Sequence, residues 1–117
     1  MYNFRRLNFY KRAEILSDVV HGLTKGFPGF ETYELGSQMR RAVDSIVLNV
    51  AEGGSKDTVK NMVCYLRHAL GSVDEVEAQM GRVVSLGYVD EVEGRKIVLE
   101  LREIGKMIHG FIRKVGG

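Results

Sequence analysis

RRAVDSIVLNVAEG, residues 40–53, sets two adjacent arginines ahead of an apolar run that holds Asn49 and Glu52 and ends at a glycine. At about 100° per residue on an α-helix, Met39, Val43, Ile46 and Val50 fall on one side, with Arg41, Ser45, Asn49 and Glu52 as a polar stripe beside them. Buried polar groups are nearly always hydrogen-bonded, so the stripe needs partners. Neighbouring helices satisfy it as a structural network, or it lines a contact surface; the network reading assigns Arg41, Ser45, Asn49 and Glu52 to structure. A helix apolar on nearly every other side belongs at the centre of a helical assembly. Ser37 is placed to cap its start and Gly53-Gly54 to stop it.

The same period continues outward in both directions. Leu7, Tyr10, Ala13, Leu16, Val20, Leu23 and Phe27 mark a first helix from about residue 5 to 25, closed by Gly26 and Pro28. The connection GFPGFETYELGS reads as an ordered loop pinned to the bundle by Phe27, Phe30 and Tyr33. Ser55 or Asp57 can cap a third helix reaching about residue 86, with Val59, Met62, Leu66, Leu70, Val73, Val76, Met80 and Val83 as its apolar positions. Gly87 stands where a left-handed residue commonly follows a helix, and Asp90 with Glu93 has capping-box spacing. The fourth helix carries Ile97, Leu101, Ile104, Ile108, Phe111 and Val115 in alternating steps of four and three, the seam of a bundle. No strand-like alternation and no internal repeat interrupts this. The pattern predicts an all-α fold, an antiparallel up-and-down four-helix bundle, as one domain over residues 1–117.

A chain of 117 residues buries about two-thirds of its unfolded surface, enough for one core, and 44% hydrophobic with 27% charged residues is an ordinary globular balance. No apolar run approaches the roughly 20 residues of a membrane span, so no membrane partner is expected. MYNFRRLNFYKR lacks the apolar stretch and cleavage site of a secretory signal, which predicts a cytoplasmic protein.

Cys64 is the single cysteine, with no disulfide or Cys-x-x-Cys partner, and His21, His68 and His109 fall on three different helices without metal-ligand spacing. No metal or cofactor is expected. Cys64 and His68 have the spacing of a nucleophile and base but no orienting third group, and Cys64 reads as a small hydrophobe on an apolar face. GGSK at 53–56 lacks the spacing of a phosphate loop. Asp74, Glu75 and Glu77 share one exposed surface and have no contrast of environment to split their acidities. No catalytic residue is assigned, and the protein is expected not to be an enzyme.

The ordered blocks have a further meaning. RRAVDSIVLNVAEG, the FP with Glu31 and the Tyr-x-Leu of Tyr33–Leu35 before Gln38, LRHALGSVDEVEAQM, and LGY at 86–88 together resemble the small four-helix-bundle proteins encoded in intervening sequences of bacterial 23S ribosomal RNA genes. The resemblance covers almost the whole chain. Val47 stands where that family commonly has proline, and Tyr10 where it has tryptophan. The family is similar to the accessory variability protein of diversity-generating retroelements, a ring-like pentamer that binds nucleic acid and engages a reverse transcriptase. The resemblance therefore implies a homo-oligomer, a pentamer, with nucleic acid, RNA or DNA, and a reverse transcriptase as partners.

The charge balance bears on that implication. Seventeen basic against 15 acidic side chains give only +2, but the first twelve residues carry Arg5, Arg6, Lys11 and Arg12 without an acid, whereas residues 74–103 hold eight acids against four bases. A two-faced molecule, with a basic end or ridge and an acidic one, is predicted. The expected phosphate contacts are Arg5, Arg6, Lys11, Arg12, Arg40, Lys56, Lys60 and Arg67, each with a solvated surface charge as its alternative reading. Phe9 and Tyr65 are assigned to the core or a subunit interface rather than to base stacking. The competing expectation is a protein–protein adaptor or scaffold without nucleic-acid affinity of its own.

Overall fold

The computed structural model describes residues 2–116. Four helices run up and down, α1 (Asn8–Thr24), α2 (Leu35–Gly54), α3 (Val59–Ser85) and α4 (Glu91–Val115), with 3-10 turns at Phe4–Arg6 and Gly29–Thr32. Among the described residues there is no strand, and no helix is long and apolar enough to cross a membrane. The rod measures 45 × 23 × 19 Å. Met39, Val43, Ile46 and Val50 of α2 are completely buried, meeting Leu16 and Val20 of α1, Met62, Leu66, Val76 and Met80 of α3, and Ile97, Leu101, Ile104 and Ile108 of α4. The central helix is α2, packed against both α1 and α3, while α4 closes the bundle on α3 and more lightly on α1.

The helix ends depart from the sequence reading in ways that local hydrogen bonds explain. α1 begins at Asn8 because Asn3 caps the tighter turn Phe4–Arg6 ahead of it. α2 begins at Leu35, leaving Ser37 inside its first turn rather than at its cap, and no side chain caps that end. Thr58, not Ser55 or Asp57, caps α3: its backbone is extended and its Oγ1 accepts from the Asn61 N–H at 3.2 Å. Ser55 Oγ instead donates to the Glu52 carbonyl at 2.8 Å. Asp90 caps α4, accepting from the Val92 and Glu93 N–H groups at 3.0 and 3.3 Å. Gly87, at φ +79°, ends α3 with bonds from Gly87 N–H to the Val84 carbonyl and from Tyr88 N–H to the Val83 carbonyl, a Schellman motif.

α2 ends at Gly54, as expected, but not through a left-handed glycine. Gly53 and Gly54 are both helical residues within it, without positive φ, and their role is close approach. The loop is ordered, but only Phe27 pins it, buried with its ring 5.6 Å from that of Tyr88. Phe30 and Tyr33 are 72% and 77% exposed, carried outward by the turn Gly29–Thr32. Polar bonds complete the anchorage: Tyr88 Oη donates to Glu31 at 2.9 Å, and Arg40 donates to the Thr32 carbonyl at 2.9 Å.

Candidate functional site

An up-and-down topology collects the start of α1, the end of α2, the start of α3 and the end of α4 at one end of the rod. Contacts fasten them there: Tyr2 N–H donates to the Gly54 carbonyl at 2.9 Å, and the rings of Tyr2 and Phe9 meet Phe111 edge-on at 5.2 and 5.6 Å. The segments that meet, residues 2–12, 52–67 and 106–116, carry Arg5, Arg6, Lys11, Arg12, Lys56, Lys60, Arg67, Lys106, Arg113 and Lys114 against the carboxylates Glu52 and Asp57. The opposite end mixes Lys25, Arg40, Arg41, Arg82, Arg95 and Lys96 with Glu31, Glu34, Asp90, Glu91 and Glu93. One end is cationic; the other is close to balanced rather than acidic, because the bases of α2, α3 and α4 at that end offset its carboxylates.

The eight cations singled out as phosphate contacts lie in different settings. Arg5, Arg6, Lys11, Lys60 and Arg67 are exposed at or near the cationic end and, among the described residues, form no ion pair. Arg5 lies 4.7 Å over the Phe4 ring, a cation–π contact that orients it without neutralising it. Lys56 is half-buried, 4.9 Å over the Tyr65 ring and 3.4 Å from Glu52 Oε1. Arg12 is taken up across the bundle by Glu100, with Nε at 2.9 Å, and this hydrogen bonding holds its guanidinium pKa above the ordinary value. Arg40 lies at the other end, donating to Thr24 Oγ1 at 2.7 Å and to the Thr32 carbonyl.

The polar stripe of α2 divides. Asn49 Nδ2 donates to the Ser45 carbonyl and hydroxyl at 2.9 Å each, and Ser72 Oγ of α3 donates to Ser45 Oγ at 2.8 Å. Arg41 is exposed and Glu52 turns to Lys56, so both stand outside this network. The outer edge of the stripe, with Arg41, Asp44, Leu48 and Glu52, borders a shallow surface groove of about 650 Å³.

A second cluster has no signal in the helical period of either helix alone. Ser17 Oγ of α1 donates to Asp44 Oδ1 of α2 at 2.6 Å, and His21 Nε2 lies 3.0 and 3.1 Å from the two Asp44 oxygens. The carboxylate, not the imidazole, is in the middle. A histidine so placed cannot take the serine proton, and the cluster acts as a strut between α1 and α2. Cys64 is exposed rather than a small hydrophobe on an apolar face, because its position on α3 points away from α2. Asp74, Glu75 and Glu77 lie along α3, with Glu77 paired to Arg102 of α4 at 3.2 Å.

Comparison with known proteins agrees with this architecture. The family model for the 23S rRNA-intervening sequence protein matches residues 5–110. The chain belongs to this family. A crystal structure of a protein of unknown function from the S23 ribosomal protein family of Bacteroides thetaiotaomicron superposes with a TM-score of 0.80 at 19% identity, covering 90% of this chain and 95% of that one. At that identity the likeness shows the fold. No curated protein matches. In this intervening-sequence protein the block RRAVDSIVLNVAEG is the central helix itself: Arg40 anchors the loop, Asp44 the strut, Ser45 and Asn49 the contact with α3, and the glycine after Glu52 the approach of the next helix.

Proposed function

We propose that this protein is a non-enzymatic homo-oligomer that binds nucleic acid, RNA or DNA, with little sequence specificity through its cationic end. The observation that carries the reading is the convergence of Arg5, Arg6, Lys11, Lys60 and Arg67, without ion pairs among the described residues, at the end where carboxylates are scarcest. Contacts of Lys and Arg with phosphate position a partner and carry no sequence information, which accounts for the lack of specificity. A net charge of +2 is modest for one chain. Repetition around a ring, a pentamer by the family resemblance, multiplies weak phosphate contacts through effective concentration. The test pairs a solution mass with a salt titration of binding to a mixed-sequence duplex and to single strands. A mass of several chains is expected, with log K falling by about 0.9 per duplex phosphate contacted for each decade of salt. A single-chain mass, or binding that is absent at low salt, refutes the proposal.

One observation favours a different reading. Ile15 and Leu48, each 65% exposed, flank a groove of about 580 Å³ between α1 and α2 that also takes in Val47. Apolar side chains left in the open beside a groove suit a protein partner, so an adaptor, for example for a reverse transcriptase, is the alternative that a flat salt profile supports.

A further inference from the structure

Gly53 and Gly54 close α2 about 100° apart around the helix and face different neighbours. A Cβ on Gly53 would lie 3.1 Å from the Met62 carbonyl oxygen of α3, and one on Gly54 only 2.7 Å from Phe4 Cβ. Gly54 thus makes room for the arm that precedes α1. Tyr2 N–H donates to the Gly54 carbonyl at 2.9 Å, the Tyr2 ring meets Phe111 of α4, and the Phe4 ring meets Tyr10 edge-on at 5.0 Å. Asn3 Oδ1 accepts from the Arg5 N–H at 3.2 Å and shapes the turn. Backbone and aromatic rings make these contacts. Arg5 and Arg6 stay exposed, and Lys56 sits two residues beyond Gly54, held over Tyr65. The arm is therefore fastened to the end of α2, from which a short connection carrying Lys56 leads to Lys60 in the first turn of α3.

We propose that Gly54 is a positioning residue for phosphate binding: the side chain it lacks is the seat in which Phe4 locks the arm, so that Arg5 and Arg6 share one surface with Lys56 and Lys60. This rests on the nucleic-acid reading above. Gly54→Ala tests it, because alanine favours the helix while its Cβ displaces the arm. Two readouts apply to the folded, full-length protein: trypsin cleavage after Arg5 and Arg6, and the salt slope of affinity for a mixed-sequence DNA duplex. The variant is expected to be cleaved several-fold faster and to lose about 0.9 of slope for each phosphate the arm gives up. Arg5→Ala/Arg6→Ala lowers the slope equally, and adding Gly54→Ala to it changes nothing more. Gly81→Ala, where a Cβ meets nothing within 4 Å, leaves both readouts at wild type. Phe4→Gly removes the Cβ that rests on Gly54 together with the ring that meets Tyr10, frees the arm without touching α2, and repeats the effect should Gly54→Ala fail to fold.

A steep wild-type slope with an unchanged Gly54→Ala slope overturns the positioning role alone, whether or not cleavage accelerates. A wild type whose affinity ignores salt defeats the nucleic-acid reading itself, and the role of Gly54 with it.

Discussion

Arg40 satisfies a loop carbonyl and the Thr24 hydroxyl at once, so truncating it leaves the half-buried Thr32 oxygen without this donor. Arg40→Ala is expected to lose about 1–3 kcal/mol in denaturant unfolding while leaving the salt slope of nucleic-acid binding at wild type. A second residue-scale outcome follows from Tyr88. Its hydroxyl donates to Glu31, and that hydrogen bond, ahead of burial, raises its pKa above the ordinary phenol value; burial, ahead of the Glu14 charge, raises Tyr10 in the same direction. A folded-state pKa held above an unfolded value of about 10 gives stability that is complete below that pH and is lost as pH climbs through the folded value. Unfolding midpoints measured upward from neutrality are expected to fall at alkaline pH, less steeply in Tyr88→Phe. Of the two adjacent arginines, periodicity identified Arg41 as part of the polar stripe, yet Arg40 is the one held. The difference depends on a loop that folds back over the start of α2, and no helical period encodes that return.

At the scale of elements, most of the core was legible, because buried apolar positions repeat every three or four residues and that repeat is a property of the sequence itself; Ala42, Val63, Ala69, Val89 and Ile112, which the chosen seams passed over, were not. Helix ends were legible at Asp90, whose side chain caps α4, and at Gly87, which takes positive φ, whereas the side-chain cap of α3 fell on Thr58 rather than on the expected Ser55 or Asp57 beside it. At the end of α2 the position was legible but its physical reason, tertiary approach, was not. Gly53 and Gly54 have the composition of a stop, and only the positions of Met62 and Phe4 show that they are points of contact. Gly94 is another such point: a Cβ there would lie 2.5 Å from Val84 Cγ2 of α3. Valine is short and branched and has little room to yield, so Gly94→Ala is expected to destabilise by about 1–3 kcal/mol through overpacking of α3 on α4. Gly81→Ala, in open space on α3, is expected to stabilise by about 0.5–1 kcal/mol through helix propensity. Opposite signs for the same chemical change, read in one series of thermal or denaturant melts, separate close approach from propensity.

Across the whole molecule, the candidate site is a product of topology. Residues 2–12, 56–67 and 106–114 are far apart in the chain, and their bases form one surface because four antiparallel helices return to the same end. The first twelve residues announced a basic region; the contribution of Lys106, Arg113 and Lys114 became visible only once Tyr2 and Phe9 were seen against Phe111. Location can be separated from net charge by two double variants that change charge by the same amount. Lys60→Glu/Arg67→Glu reverses two cations near the cationic end, and Arg95→Glu/Lys96→Glu reverses two exposed cations at the start of α4 on the opposite end. Long-range steering depends mainly on total charge and affects both alike, whereas direct phosphate contact depends on where the charge stands. In fluorescence anisotropy with a mixed-sequence duplex, the first variant is expected to bind more than about tenfold more weakly at low salt, with a slope shallower by about 0.9 per lost contact. The second is expected to keep the wild-type slope. Equal losses in the two variants would mean that overall charge, not the cationic end, attracts the nucleic acid.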